Sequence, residues 1–206
     1  NGIIHRGPDD SGVFSGKKGT LGHRRLSIMD PESGKQPIYN EDRTSAVLAN
    51  GEIYNFPSLK KPLADSHHFS TGNDSEVLLH LFEDFGPSMT NRLDGMYAFC
   101  LTDGEDVFLA RDPVGIKPLY YSEKIDGTMV FSSELKNFDP SSAERIHEFP
   151  PGTWYHSRKG FVSYHDFKPA GILEQKIGEY SASLRKSFEA AVNKRLINDV
   201  PRGCFL

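Results

Sequence analysis

The chain has 206 residues, enough for one well-buried domain or for one domain and the start of another. Its formal net charge of -4, with no run of more than two Lys or Arg, argues against nucleic acid as the main partner, because phosphate binding needs a basic surface. No apolar stretch approaches a membrane span and no signal-peptide pattern opens the chain, so a cytoplasmic protein with no membrane partner is expected.

The chain opens on Asn1 rather than Met, which reads as a piece of a longer polypeptide. Residues 5–12, His-Arg-Gly-Pro-Asp-Asp-Ser-Gly, form a polar loop punctuated by Gly and Pro. Residues 20–28 then alternate as a strand carrying His23, Arg24 and Arg25. An Arg near a strand end is usually a solvated charge, but its planar fork also suits bidentate binding of an amino acid carboxylate.

Residues 45–49 predict a strand that runs straight into Asn50-Gly51-Glu52. An amide, an unhindered backbone N–H and a carboxylate at a strand mouth are the parts of an oxyanion hole and a polar substrate site. Asn-Gly is also the strongest short turn signal, and hairpin turns are far commoner than oxyanion holes. A short helix follows at 56–63, opened by Pro57 and expected to end at Pro62. Residues 71–76 read as a loop and helix start, and Val77, Leu78, Leu81, Phe82 and Phe85 share one face of a helix ending at Gly86-Pro87. Asp74 is either the N-cap of that helix or a carboxylate for a substrate ammonium.

From Met96 the pattern turns to strands. Residues 96–102 and 107–111 flank a Gly-containing hairpin turn, residues 111–121 form a tight loop and a strand, and further strands are expected at 129–132, 152–156 and 161–164. A short helix is expected at 133–137. Many strands and a few helices predict an α+β layer fold with antiparallel sheets.

A breaker cluster at 168–171 predicts a domain boundary, giving a first domain of residues 1–170 and a second of 171–206. Beyond it, Ile177, Tyr180, Leu184, Phe188, Ala191 and Val192 define an amphipathic helix over 174–197, and Cys204-Phe205-Leu206 read as the first residues of a buried α/β strand. The two cysteines, Cys100 and Cys204, sit in apolar runs as small hydrophobes, neither a disulfide framework nor nucleophiles. His67-His68 is the one adjacent histidine pair, no His/Cys/Asp spacing fits a zinc site, and no metal is expected. Residues 16–20, Gly-Lys-Lys-Gly-Thr, lack the spacing of a phosphate loop and read as a hairpin turn.

Several blocks, taken in order, resemble one family. They are His-Arg-Gly-Pro-Asp at 5–9, His-Arg-Arg-Leu-Ser-Ile at 23–28, Asn-Gly-Glu-Ile-Tyr-Asn at 50–55 and Thr-Gly-Asn-Asp-Ser-Glu at 71–76. Leu-Asp-Gly-Met-Tyr-Ala-Phe at 93–99, Arg-Asp-Pro-Val-Gly-Ile-Lys-Pro-Leu-Tyr at 111–120, Ser-Ser-Glu-Leu-Lys at 132–136 and Glu-Phe-Pro-Pro-Gly at 148–152 continue the series. The chain is similar to the class II glutamine amidotransferases and, within them, to the glutamine-hydrolysing asparagine synthetases.

The resemblance implies an N-terminal-nucleophile hydrolase fold, an αββα sandwich of two antiparallel sheets between helical layers. It implies an amino-terminal Cys, expected upstream of Asn1, whose thiolate attacks the glutamine amide with its own α-amine handling the proton. By the same resemblance Arg25 clamps the glutamine carboxylate and the backbone of Leu26, Ser27, Ile28 and Met29 lies along the substrate. Asn50 and Gly51 form the oxyanion hole, and Glu52 and Asp74 hold the ammonium. Leu206 lies at the edge of a nucleotide site. Ammonia would pass to a synthetase domain that activates aspartate with ATP and Mg2+; no cofactor is expected within these 206 residues, and a homodimer is the expected assembly. The alternatives are a non-catalytic scaffold of a related synthetase and an amidotransferase with another acceptor. The helix and strand after residue 174 favour an ATP-dependent synthetase over a sugar-phosphate acceptor.

Overall fold

The computed structural model describes residues 2–17, 19–139, 146–168, 171, 176–197, 199–201 and 203. In chain order these form β1 (Asp10–Ser15), β2 (Thr20–Arg25), β3 (Ile38–Tyr39), β4 (Ala46–Ile53), α1 (Phe56–Leu63), α2 (Val77–Phe85), β5 (Gly95–Thr102) and β6 (Val107–Arg111). They continue with β7 (Tyr120–Glu123), β8 (Met129–Ser132), β9 (Ile146–Glu148), β10 (Thr153–His156), β11 (Gly160–Ser163) and α3 (Ile177–Lys194). Short 3-10 turns occupy Asp74–Glu76, Gly86–Arg92 and Leu135–Asn137.

The central sheet has the order β11-β10-β6-β5-β4-β3, and its ladders are antiparallel. Alternation along β5 and β6 sends Tyr97, Phe99, Leu101, Phe108 and Ala110 to one face and Ala98 and Leu109 to the other, so both faces of these strands bury apolar surface. The first face is covered by α1 and α2 through Leu63, Val77, Leu78 and Leu81. The second meets a three-stranded sheet, β8-β7-β9, through Leu119 and Phe149 with Tyr121 and Phe131 beside them. The β1-β2 hairpin forms a separate two-stranded sheet. Helix, sheet and sheet are thus layered as the expected α+β sandwich requires.

Local chemistry explains most element ends. Gly86 stops α2 at φ 55, a left-handed conformation that glycine adopts at little cost. Pro57 stands in the first turn of α1, and Pro62 sits one residue before its end, where a missing N–H and a clash with the preceding turn halt the helix. The β1-β2 turn closes with Gly16 N–H donating to Gly19 at 2.9 Å. The loop after β6 is held from within: the Asp112 carboxylate accepts from the N–H groups of Tyr97, Val114, Ile116 and Lys117. Buried Arg111 donates to the carbonyls of Gly115, Lys117 and Phe149 and to Glu148. Each of these groups would otherwise be a costly unpaired polar atom in a tight bend.

Five expectations change. Residues 10–12 belong to β1 rather than to the preceding loop, because pairing with β2 supplies their backbone partners. β2 stops at Arg25, so residues 26–28 are loop, and β9 forms where no strand pattern was evident, its three residues all exposed. Asn50-Gly51 is not a hairpin turn but the middle of β4, paired across to Ala98 and Tyr97. Helix α3 spans Ile177–Lys194 and buries none of its residues. Leu206, the strand expected at 204–206 and the Pro169-Ala170 part of the boundary lie outside the described residues. No described helix is long and apolar enough to cross a membrane.

Candidate active site

β4 is paired on one side along its whole length by β5, but β3 covers only Ala46 and Val47 on the other. Side chains finish that open edge. Gln36 accepts from Ala49 N–H at 2.7 Å and donates back to Ala49 O at 3.1 Å, so one amide imitates a strand residue. Asp74 accepts from Ile53 N–H through Oδ2 at 2.6 Å. N–H groups of alternate strand residues point to the same edge, so Gly51 N–H is directed between these two substitutes. Gly51 has φ +150, and a Cβ there would stand 2.0 Å from Met96 O. Only glycine fits.

This edge borders a cavity of about 850 Å³ between the second face of the central sheet and strands β2 and β8. Arg25, Asn50, Gly51, Glu52 and Asp74 all line it, as do Leu26, Ile28 and Met29. Ser27 is not on the wall; its N–H donates to Asp9 at 2.8 Å and anchors the loop of residues 5–9, which Arg24 holds through Gly7 and Pro8. The expected site residues among those described therefore converge, Ser27 apart, although they come from three separate stretches of sequence.

The buried Arg25 guanidinium donates to the carbonyls of Met29 and Asp30, each at 2.7 Å, and to Pro31 at 3.4 Å. It folds the 29–31 loop around itself, and a guanidinium carries more N–H groups than these three acceptors use. Asp74 is not a helix cap: Asn73 has that role, its Oδ1 accepting from Ser75 N–H at 2.9 Å. Burial pushes the Asp74 carboxyl up to about 6, and the charge of Glu52 adds to the rise while the Ile53 N–H opposes it. A desolvated carboxylate next to a second one gains most from a cation placed against both.

Sequence reading missed two supporting groups. His23 Nε2 lies 3.1 Å from Ala49 O, which requires that Nε2 carry the proton; Nδ1 is then a buried acceptor with no partner among the described residues. Burial lowers the His23 pKa and keeps the ring neutral. Gln36 was likewise invisible as a site residue, since its role depends on where β3 stops. Cys100 borders the cavity too, but burial pushes its thiol up to about 12, so it is no nucleophile.

Residues 1–148 match the glutamine amidotransferase domain family. The chain belongs to that family. A Zea mays asparagine synthetase [glutamine-hydrolyzing] is 45% identical to it over 207 residues, covering 99% of this chain and 35% of the relative. Asparagine synthetase [glutamine-hydrolyzing] 2 of Arabidopsis thaliana is 44% identical over 213 residues, with 99% and 36% covered. The amidotransferase chain thus spans about a third of the length of these relatives. Among solved structures, the allosteric regulatory enzyme of purine biosynthesis is 28% identical with a TM-score of 0.60, covering 70% of this chain and 34% of that one. A glutamine phosphoribosylpyrophosphate amidotransferase from B. subtilis, complexed with ADP and GMP, is 29% identical with a TM-score of 0.57 over the same shares. The second is a glutamine amidotransferase by name, and the α+β sandwich described above is the N-terminal-nucleophile hydrolase fold that was expected.

Proposed function

We propose that this chain is the glutaminase part of an asparagine synthetase, hydrolysing glutamine to glutamate and ammonia. The observation that carries this reading is the β4 edge, where an inward-directed Gly51 N–H, the Asn50 amide and the buried Asp74 carboxylate border one cavity with Arg25. In this reading Asp74 and Glu52 take the α-ammonium of glutamine, and the free N–H groups of Arg25 take its α-carboxylate. Leu26, Ile28 and Met29 lie along the substrate, and Ser27 supports their loop from behind.

The substrate's side-chain amide is thereby aimed at Asn50 and Gly51. A thiolate adds to the amide carbon, and negative charge develops on the carbonyl oxygen. The Asn50 NH2 and Gly51 N–H stabilise that charge. Collapse of the adduct expels ammonia after it takes up a proton, and water then releases glutamate from the thioester. The thiolate is assigned to an amino-terminal cysteine of the whole polypeptide, since the buried Cys100 thiol is unsuited to it. Transfer of ammonia to ATP-activated aspartate, with Mg2+, is assigned to a part of the polypeptide outside these 206 residues, with Leu206 at its edge. The names and coverage of the plant relatives support this assignment.

Calorimetry of full-length protein against glutamine tests the pocket. Arg25→Ala and Asp74→Ala should each weaken binding by tenfold or more; unchanged binding in both would favour a non-catalytic scaffold. A glutamine-like diazoketone should label an amino-terminal cysteine, as read by peptide mass, and labelling of Cys100 would overturn the assignment of the nucleophile.

A further inference from the structure

Away from the cavity lining, the fold gathers four side chains from three separate stretches of sequence. Glu41 comes from the loop before β4, His67 from the loop after α1, and His80 and Glu83 from one face of α2. One ligand-capable atom of each lies within 4.8 Å of the other three. His80 Nδ1 is 3.0 Å from Glu83 Oε2, His67 Nδ1 is 3.4 Å from the same oxygen, and His67 Nδ1 is 3.9 Å from Glu41 Oε1. Zinc bonds to imidazole and carboxylate of about 2.0–2.1 Å give a tetrahedron with edges of about 3.3 Å. These three separations bracket that edge, and all six are within 4.8 Å.

The surrounding hydrogen bonds orient three of these four side chains toward a cation. His67 Nε2 is 3.0 Å from Asp84 Oδ1, so Nε2–H donates to that carboxylate and Nδ1 turns its lone pair inward. Glu83 Oε1 accepts from Asn40 Nδ2 at 2.7 Å, leaving Oε2 toward both imidazoles. Glu41 Oε1 accepts from His68 N–H at 2.6 Å. A lone pair of His67 thus faces two carboxylate oxygens, an arrangement that is repulsive unless a proton or a cation stands between them. His80 is fully buried and stacks on His67 at 4.5 Å, while Glu41 and Glu83 are part-exposed and leave a way in. Without an ion, His80 Nδ1–H donates to Glu83 Oε2; an ion bound through Nδ1 takes the place of that proton, which moves to Nε2, an atom with no partner among the described residues.

We propose that Glu41, His67, His80 and Glu83 form a binding site for a divalent transition-metal ion of the zinc type. Two neutral imidazoles and two carboxylates balance a 2+ charge, and a mixed set of two nitrogen and two oxygen ligands matches zinc better than magnesium or calcium, which prefer more oxygen ligands. None of the four residues lines the glutamine cavity, so the ion would serve as a clip that ties two loops to α2 rather than as a participant in hydrolysis.

Full-length protein stripped by chelator and titrated with Zn2+ alone should take up one ion per chain through this site, with a melting temperature that rises with Zn2+ concentration. Co2+ in its place should give the visible bands of a tetrahedral ion. Glu41→Gln and His67→Gln, both at part-exposed positions, should keep the far-ultraviolet dichroism and weaken Zn2+ binding by more than tenfold. Asp84→Asn, which removes only the partner of His67, should weaken it by about 10–100-fold. No saturable uptake of Zn2+, or uptake unchanged in both Glu41→Gln and His67→Gln, would overturn the proposal and identify the cluster as a proton-bridged ion pair.

Discussion

The Asp74 carboxylate, proposed above to hold the substrate ammonium, is costly to the fold. Its folded pKa of about 6 stands above the ordinary carboxylate value of about 3.9, and the first cause is burial. A raised folded pKa means that the native chain holds a proton which the unfolded chain has released. The contribution to stability is therefore full below about pH 4 and is lost as pH rises through about 6, a cost on the order of 3 kcal/mol at neutral pH. Asp74→Asn should accordingly melt at an equal or higher temperature at pH 7.5 by scanning calorimetry, while its affinity for glutamine falls at least tenfold. A lower melting temperature would mean that the bond from Ile53 N–H outweighs the burial of charge. In the unmodified protein, glutamine affinity should decline as pH drops below about 6, because ammonium binding then requires prior loss of the Asp74 proton. Gly51 sets the opposite kind of constraint. A Cβ at 2.0 Å from Met96 O, on a backbone at φ +150, forces β4 and β5 apart, so Gly51→Ala should lose about 3 kcal/mol or more in urea unfolding.

Elements whose signal is local were legible in the sequence, and those fixed by a distant partner were not. The spacing of Val77, Leu78 and Leu81 marked α2, and the apolar runs around residues 103–106 marked the β5-β6 hairpin, because both patterns lie within a few residues. Asn50-Gly51 read equally as a turn because what keeps it in a strand is Ala98 and Tyr97, more than forty residues away. β9 escaped because its three residues are exposed and gain strand form only by pairing with Tyr120, Tyr121 and Ser122. The candidate site followed the same division. Its cavity-lining candidates were picked out through ordered motifs, whereas Gln36 and His23, which finish an unpaired strand edge, become meaningful only once the edge is known. Glu76 belongs with them. Fully buried before α2, it accepts from the N–H and hydroxyl of both Ser70 and Thr71, at 2.6–2.8 Å, and so holds the loop that leads to Asp74. Glu76→Ala leaves those donors without an acceptor and should cost about 3 kcal/mol or more, with weaker glutamine binding as a second consequence. Chemical denaturation and calorimetry on the same sample would separate the two.

Across the whole molecule, stability is concentrated in the layers, and α3 stands apart from them. Ile177, Leu184 and Phe188 are 87%, 72% and 69% exposed, although their spacing is that of a helix built to bury one face. Its described links to the rest are few and lie at or beyond its end: Lys194 with Asp94, Arg195 over the ring of Tyr54, and Asp199 accepting from Asp30 N–H. Exposed ion pairs contribute about 0–1 kcal/mol each, far less than a buried leucine, whose removal costs about 2–5 kcal/mol. If the boundary lies near residue 170, a chain ending at Lys168 should keep a single cooperative transition within a few degrees of that of residues 1–206. Leu184→Glu with Phe188→Glu should be equally silent in the longer chain, whereas Leu79→Ala should lower the transition by about 4–15 °C. Among these links Asp199 reaches the site: it steadies the Asp30 backbone beside the carbonyls that Arg25 grips. A truncated chain that melts normally yet binds glutamine more weakly would locate the contribution of the tail at that loop; a collapse of the transition itself would show that α3 is part of the fold and would move the boundary beyond residue 194.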